Sequence, residues 1–210
     1  METKDITSTQ GRITQDKLFG HLRTITEHKI LVAKHCFAIG LYRQGILHDL
    51  SKYMPAELIN GFKYYQGGTR SPNNGERDVK GYSEAWMHHK GRNRHHYEYW
   101  TDYAQNPSAS ETLIVYVKMP RRYVAEMVMD RMAASKIYLK DKYTDRSPLE
   151  YLLKGRGRSI MHPETAMELE CLLTILAERG ERELFRFIRR YYLKGGDMKR
   201  TVRKTKPQND

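Results

Sequence analysis

Cysteine is scarce in this chain of 210 residues, with only Cys36 and Cys171 present. Each falls among apolar residues on an expected helix, so neither a disulfide scaffold nor a cysteine-held zinc site is on offer. Any bound metal must be held by histidine and carboxylate. Long apolar runs are missing as well. No stretch approaches the roughly 18–20 residues that span a bilayer, and the opening METKDITSTQGR has no apolar segment of the secretory kind. The expectation is a cytoplasmic protein with no membrane partner. Acidic residues are in deficit, 25 Asp and Glu against 37 Lys and Arg, which leaves a formal charge of +12 with nine histidines counted neutral.

Hydrophobic residues make up 39 % of the chain, a little under the usual globular share. They recur at helical spacing, which supports a core and excludes wholesale disorder. Part of the positive excess lies in the last stretch, KGGDMKRTVRKTKPQND, whose six Lys and Arg against two Asp leave +8 on the rest. That segment reads as a flexible tail, solubilising or weakly adherent to nucleic acid. The remaining charge either draws in phosphorylated substrates or is a solvated surface.

Helical periodicity dominates. Leu18, Leu22, Ile25, Val32, Cys36 and Ile39 trace one long helix from about Gln15 to Ala38, closed by Gly40. A second, shorter helix is expected to carry GILHDLSKY, and Pro55 opens a third, PAELINGFKYY. Residues 66–81 read as a polar loop. Ser83 caps a helix through EAWMHHK, which RNRHHYEYW continues after Gly91 as a second short helix or a distorted extension. Residues 104–111 form another loop, and TLIVYV a short strand. Pro120 starts RRYVAEMVMDRMAASKIYL, and SPLEYLL, HPETAMELECLLTILAERG and ERELFRFIRRYYL supply three more helices. The fold class is all-α, a single compact multi-helix bundle over residues 1–193 with a flexible basic tail at 194–210. Its metal-site core spans about 15–140, and its C-terminal helices about 147–193.

Chemistry concentrates in the histidines. His48 and Asp49 are consecutive, which on a helix sets an imidazole and a carboxylate about 100° apart, both able to lean toward one cation. Ile46, Leu47 and Leu50 flank the pair. It is therefore expected on a mostly buried helix, where an unpaired carboxylate is costly and a cation removes the cost. Lys52 lies one turn beyond His48 and could hold an anionic phosphate oxygen. His88, His89, His95 and His96 fall within nine residues.

GILHDLSK resembles the L-L-H-D-I-G-K signature of the HD superfamily of metal-dependent phosphohydrolases. His28 in HKILVA is similar to the superfamily's earlier H-x-x-x-V-A histidine, and Asp130 in EMVMDRMAASKIY to its final aspartate. WMHHKGRNRHHYEYW occupies the interval where binuclear branches add histidines. EHK, HDLSKY with a proline soon after, and HHKGRNRHH with YW also resemble a small uncharacterised family from Gram-positive bacteria and their phages. The H-H-E-x-x-D-G-x-G-Y-P pattern of the HD-GYP branch is absent, since Lys90 follows the paired histidines. The resemblance implies an HD-type helical domain holding one or two divalent transition metals, Fe, Mn, Co, Ni or Zn.

The metal ligands it implies are His28, His48, Asp49, Asp130 and histidines of the later cluster. Antiparallel pairing across Gly40 would instead favour His35 over His28. Spacing by seven links His89 to His96 and His88 to His95 alike; His89 and His96 are the preferred ligands, with His88 and His95 as substrate contacts. Arg92 and Asn93 are candidates to grip phosphate oxygens. Lys52 and Asp49 are the expected catalytic residues. Glu126, on the face of Asp130, is expected either to support the site or to form a surface salt bridge. Trp86 and Trp100 read as core packing, His21 as structural or exposed, and His162 as a cap.

The expected activity is hydrolysis of a phosphate ester, with a phosphorylated small molecule such as a nucleotide as partner. Two alternatives stand beside it. One is an HD-like di-iron oxygenase. The other is a non-catalytic basic module in which Tyr97, Tyr99 and Trp100 stack on nucleic acid.

Overall fold

A computed structural model describes residues 12–105, 113–155 and 160–198. Helix α1 spans Gln15–Ala38, with the Thr14 side chain accepting from the Lys17 amide at its start. Its buried stripe joins Ile25, Val32 and Cys36 to His21, His28 and His35. The central helix is α6, Arg121–Leu139, on which Val124, Ala125, Val128, Met129, Met132 and Ala133 are fully buried. Burying each of its larger apolar side chains contributes about 1.5–3 kcal/mol. Helix α8, Pro163–Phe187, adds Leu169, Leu172, Leu173 and Leu176 to the same core. The two C-terminal helices expected there meet at Gly180, whose φ of 78° breaks the helical path. Only glycine adopts that conformation without strain.

Around this core lie α2 (Tyr42–Leu47), α3 (Pro55–Tyr64), α4 (Pro72–Lys80), α5 (Glu84–Lys90) and α7 (Ser147–Lys154). Strands β1 (Thr101–Tyr103) and β2 (Ile114–Tyr116) pair antiparallel, with Thr101 opposite Tyr116. The strand expected in TLIVYV is therefore present. Residues 106–112, which hold most of the expected 104–111 loop, lie outside the described residues. Among the described residues, no helix is long and apolar enough to cross a membrane.

Four local expectations are corrected. GILHDLSKY is not one helix, because α2 ends at Leu47 and a 3-10 turn resumes at Leu50–Tyr53. The Lys29 ammonium donates to the carbonyls of Ile46, at 2.6 Å, and His48, at 2.8 Å. It satisfies carbonyls that a continuing helix would have used. The polar 66–81 stretch contains α4, which lacks an apolar stripe. That helix is held through buried Glu76, which accepts from Ser83 Oγ at 2.7 Å and from the Ala85 amide at 3.3 Å. After Gly91 the chain turns instead of continuing a helix, with a 3-10 turn only at Tyr97–Tyr99. The chain also stays packed past residue 193, since Met198 is buried in the core. Residues 199–210 of the expected tail lie outside the described residues.

Helix α3 approaches α1 closely at Gly61, where a Cβ would sit 2.1 Å from His21 Nε2. Gly61→Ala should lower stability by about 1–2 kcal/mol in urea unfolding, because overpacking against a buried ring outweighs the gain in helix propensity. His21 is itself 7 % exposed. Burial, with a smaller push from the Lys52 charge, lowers its pKa to about 4 from the ordinary 6.5. The unfolded chain thus binds a proton there that the folded chain refuses. Stability from this residue is intact above pH 6.5 and is lost as pH falls toward 4. An NMR titration of the His21 ring should give a midpoint near 4.

Candidate metal centre

Five elements converge on one buried carboxylate. Helix α1 brings His28, the break after α2 brings His48 and Asp49, and α5 brings His89. The turn beyond α5 brings His95 and His96, and α6 brings Asp130. Asp49 stands at φ 54°, ψ 25°, a left-handed conformation that aspartate tolerates better than most residues. Its two oxygens face different partners. Oδ1 lies 3.3 Å from His89 Nε2 and 3.4 Å from His95 Nε2. Oδ2 lies 3.3 Å from His48 Nε2, 3.7 Å from His28 Nε2 and 2.7 Å from Lys52 Nζ. Asp130 Oδ1 is 2.9 Å from His28 Nε2.

The donor atoms form two clusters that share Asp49, one with His28, His48 and Asp130 and one with His89, His95 and His96. Asp49 Oδ1 and the Nε2 atoms of His48, His95 and His96 are buried without a hydrogen-bond partner, while Asp49 Oδ2 and His28 Nε2 each have a close ionic neighbour, Lys52 Nζ at 2.7 Å and Asp130 Oδ1 at 2.9 Å. Leaving such atoms unpaired costs about 1–3 kcal/mol each. Divalent cations would satisfy all of them at once, and imidazole with carboxylate suits Fe, Mn, Co, Ni or Zn. The residues fit a metal centre.

The outer ring nitrogens fix this orientation. Glu126 Oε1 accepts from His48 Nδ1 at 3.0 Å and also lies 3.3 Å from His95 Nδ1. Glu57 accepts from His88 Nδ1 at 2.6 Å and from His89 Nδ1 at 2.8 Å. With their Nδ1 protons so engaged, His48, His89 and His95 turn Nε2 inward. A third donor cluster, His48, His95 and Glu126, consists of these outer contacts.

Electrostatics favour ionised carboxylates. Burial alone would raise the pKa of Asp49, but the charges of His48, Lys52 and His89 hold it well below the usual range. Asp130 behaves alike, with the adjoining His28 and His48 outweighing burial. Burial and the nearby Lys52 charge lower His28, while burial with His95 and His89 lowers His96. His48 is the exception. Burial opposes its charge, yet Asp49, Asp130 and Glu126 raise its pKa well above 6.5, so holding a metal there would require the loss of a proton.

The expected residues separate as follows. His28 enters the centre. His35 lies on the same face of α1 but places Nδ1 3.4 Å from the Met129 carbonyl instead. His95 and His96 both point inward, since the turn after Gly91 removes the helical spacing that would have made one of them a substrate contact. His88 is drawn to Glu57, away from Asp49. Asn93 donates to Ser51 Oγ at 2.7 Å and to the His89 carbonyl at 2.8 Å, so it braces the turn. Arg92 is exposed. Lys52 adjoins Asp49 with its side chain 28 % exposed, the most open charged group of the cluster.

Glu126 is buried, and no surface salt bridge forms there. Ile46, Leu47 and Leu50 point outward, which reverses the expected reason for the burial of His48 and Asp49. Trp86 sets its ring 4.7 Å from His96, edge on, while Trp100 packs against the core. His21 is buried, and His162 caps α8 by accepting from the Glu164 amide. Glu57 and Ser51 were not anticipated. The available signal was an acidic residue in the apolar helix PAELINGF.

Glu126→Gln retains an acceptor oxygen but loses the charge that raises ligand basicity. It should weaken metal binding about 10–100-fold with helical content unchanged, as measured by chelator competition and circular dichroism.

Comparison with curated proteins and with solved structures finds no match. A family model described as a family of unknown function (DUF5662) matches residues 17–175, a range that holds every donor from His28 to Asp130. That match covers well over half of the chain, which therefore belongs to this DUF5662 family.

Proposed function

We propose that the protein is a metal-dependent phosphohydrolase with an HD-type helical domain, acting on a phosphate ester, with a nucleotide as the favoured substrate. The observation that carries this reading is the ring of buried, unpartnered donor atoms around Asp49. The order His28, His48-Asp49, histidine cluster, Asp130, which resembles the HD superfamily, adds support. Bound cations supply Lewis acidity, bringing the pKa of a water toward neutrality and offsetting charge on a phosphoryl group.

The chain's own residues do the rest. Asp49 and Asp130 present ionised oxygens, and Glu126 orients the rings by accepting from His48 Nδ1 and lying against His95 Nδ1. Lys52, at the open edge, can hold a phosphoryl oxygen, and the net positive charge draws anionic substrates toward it. The burial of His89 and His95, each 2 % exposed, supports a role as inward donors. The ligand set is rich in nitrogen, five imidazoles to two carboxylates, and this favours a di-iron oxygenase as the second reading.

Metal analysis of the purified protein, followed by an assay on a panel of phosphate esters and nucleotides, separates these readings. The expected result is one or two transition-metal ions per chain and phosphate release that falls about 100-fold or more in His48→Ala and in Asp49→Asn. Iron with oxygen consumption and no phosphate release would move the assignment to the oxygenase. Absence of metal, with no uptake after chelator treatment, would remove both.

A further inference from the structure

The two halves of the centre differ in charge and in donor chemistry. Around His89, His95 and His96 the donors are three imidazoles and the shared carboxylate, enough to complete a four-coordinate shell. Those rings are held in place. Glu57 fixes His89, Glu126 lies against His95 Nδ1, and Trp86 backs His96. The other half, around His28, His48 and Asp130, has two imidazoles and two carboxylates. Its shared oxygen is already engaged, because Lys52 Nζ lies 2.7 Å from Asp49 Oδ2. The lysine contact falls on the oxygen that faces His28 and His48, whereas His89 and His95 approach Oδ1. A second lysine, Lys29, is pinned on the Ile46 and His48 carbonyls of the same half.

We infer that the two cation positions fill in a fixed order, the imidazole-rich position first and tightly, the carboxylate-rich position second and weakly. Lys52 is the resident counter-ion that the second cation must displace. This inference rests on the metal-dependent reading above, in its form with two cations per chain. The chain is built for it, since Asp49 is 2 % exposed while the Lys52 side chain is 28 % exposed. The carboxylate cannot move away, and the ammonium can swing outward. Lys52 released in this way is free to take a phosphoryl oxygen, so arrival of the second cation and capture of an anion favour each other.

The test is a titration of the chelator-stripped full-length protein with Co²⁺, followed by calorimetry and by visible absorption. In the unaltered chain, two steps are expected, separated by about tenfold or more in affinity, with the intense absorption of four-coordinate cobalt complete at the first. His96→Ala should weaken the first step. Lys52→Met should tighten the second about tenfold or more and leave the first in place, and Lys52→Gln should reproduce that effect. Two indistinguishable steps, a single cobalt per chain in wild type and Lys52→Met alike, or a second step unmoved by both lysine variants would overturn the inference while leaving a metal centre standing. Failure to bind cobalt at any step would overturn the inference and the metal-dependent reading together.

Discussion

The carboxylate of Asp49 is 2 % exposed, and its charged neighbours are the Lys52 ammonium, 2.7 Å from Oδ2, and imidazole Nε2 atoms at 3.3 to 3.7 Å. Taking an ion out of water costs several kcal/mol even after the protein relaxes, so the surrounding structure has to compensate for that charge. It does so from every direction. Helix α1 contributes His28, the turn after α5 contributes His95 and His96, α6 contributes Asp130, and Lys52 closes the open side. The left-handed backbone at Asp49 turns the carboxylate into this ring. Lys29 makes that conformation tenable by taking over the carbonyls left free where α2 stops. Removing either the helix break or the lysine that supports it would swing the central donor out of register with four other elements.

How much of this was legible in the sequence depended on what kind of contact held each part. Helices built on apolar stripes were legible. The span of α1, from Gln15 to Ala38, and the start of α6 after Pro120 follow from periodicity and proline placement alone. Helix α4 was not legible, because its anchor is the buried Glu76 accepting from Ser83 and Ala85, and no hydrophobic pattern encodes a tertiary hydrogen bond. The identity of the first donor was legible only in part. His21, His28 and His35 share one face and are all buried, so spacing could not choose among them. The choice is made by what each ring meets on α6, the Asp130 side chain for His28 and the Met129 carbonyl for His35.

The pair at the centre shows a different limit. Ile46, Leu47 and Leu50 suggested a buried helix, yet they face outward while His48 and Asp49 face in. A polar pair buried beneath apolar neighbours inverts the usual pattern, so the expected burial is present while its expected cause is not. The supporting carboxylates were also hard to find. Glu57 reaches His88 and His89 from a helix more than thirty positions earlier in the chain, and Glu126 reaches His48 across 78 positions. Such contacts become visible only once helices pack.

A buried network of histidines and carboxylates could in principle exist for stability alone, and its energetics argue against that. Buried ionic groups rarely outperform apolar side chains of similar volume, even when every partner is in place. Here the partners are incomplete, since Asp49 Oδ1 and the inward Nε2 atoms of His48, His95 and His96 lack hydrogen bonds. The left-handed backbone at Asp49 adds a local strain of order 1–3 kcal/mol. By contrast, the outer nitrogens of His48 and His89 are satisfied by Glu126 and Glu57. Had the network served only to fill the interior, selection for stability would have paired the inner atoms as carefully as the outer ones. The asymmetry, with outer atoms satisfied and several inner atoms left open toward one another, is the arrangement of a set of groups that could hold a metal ion.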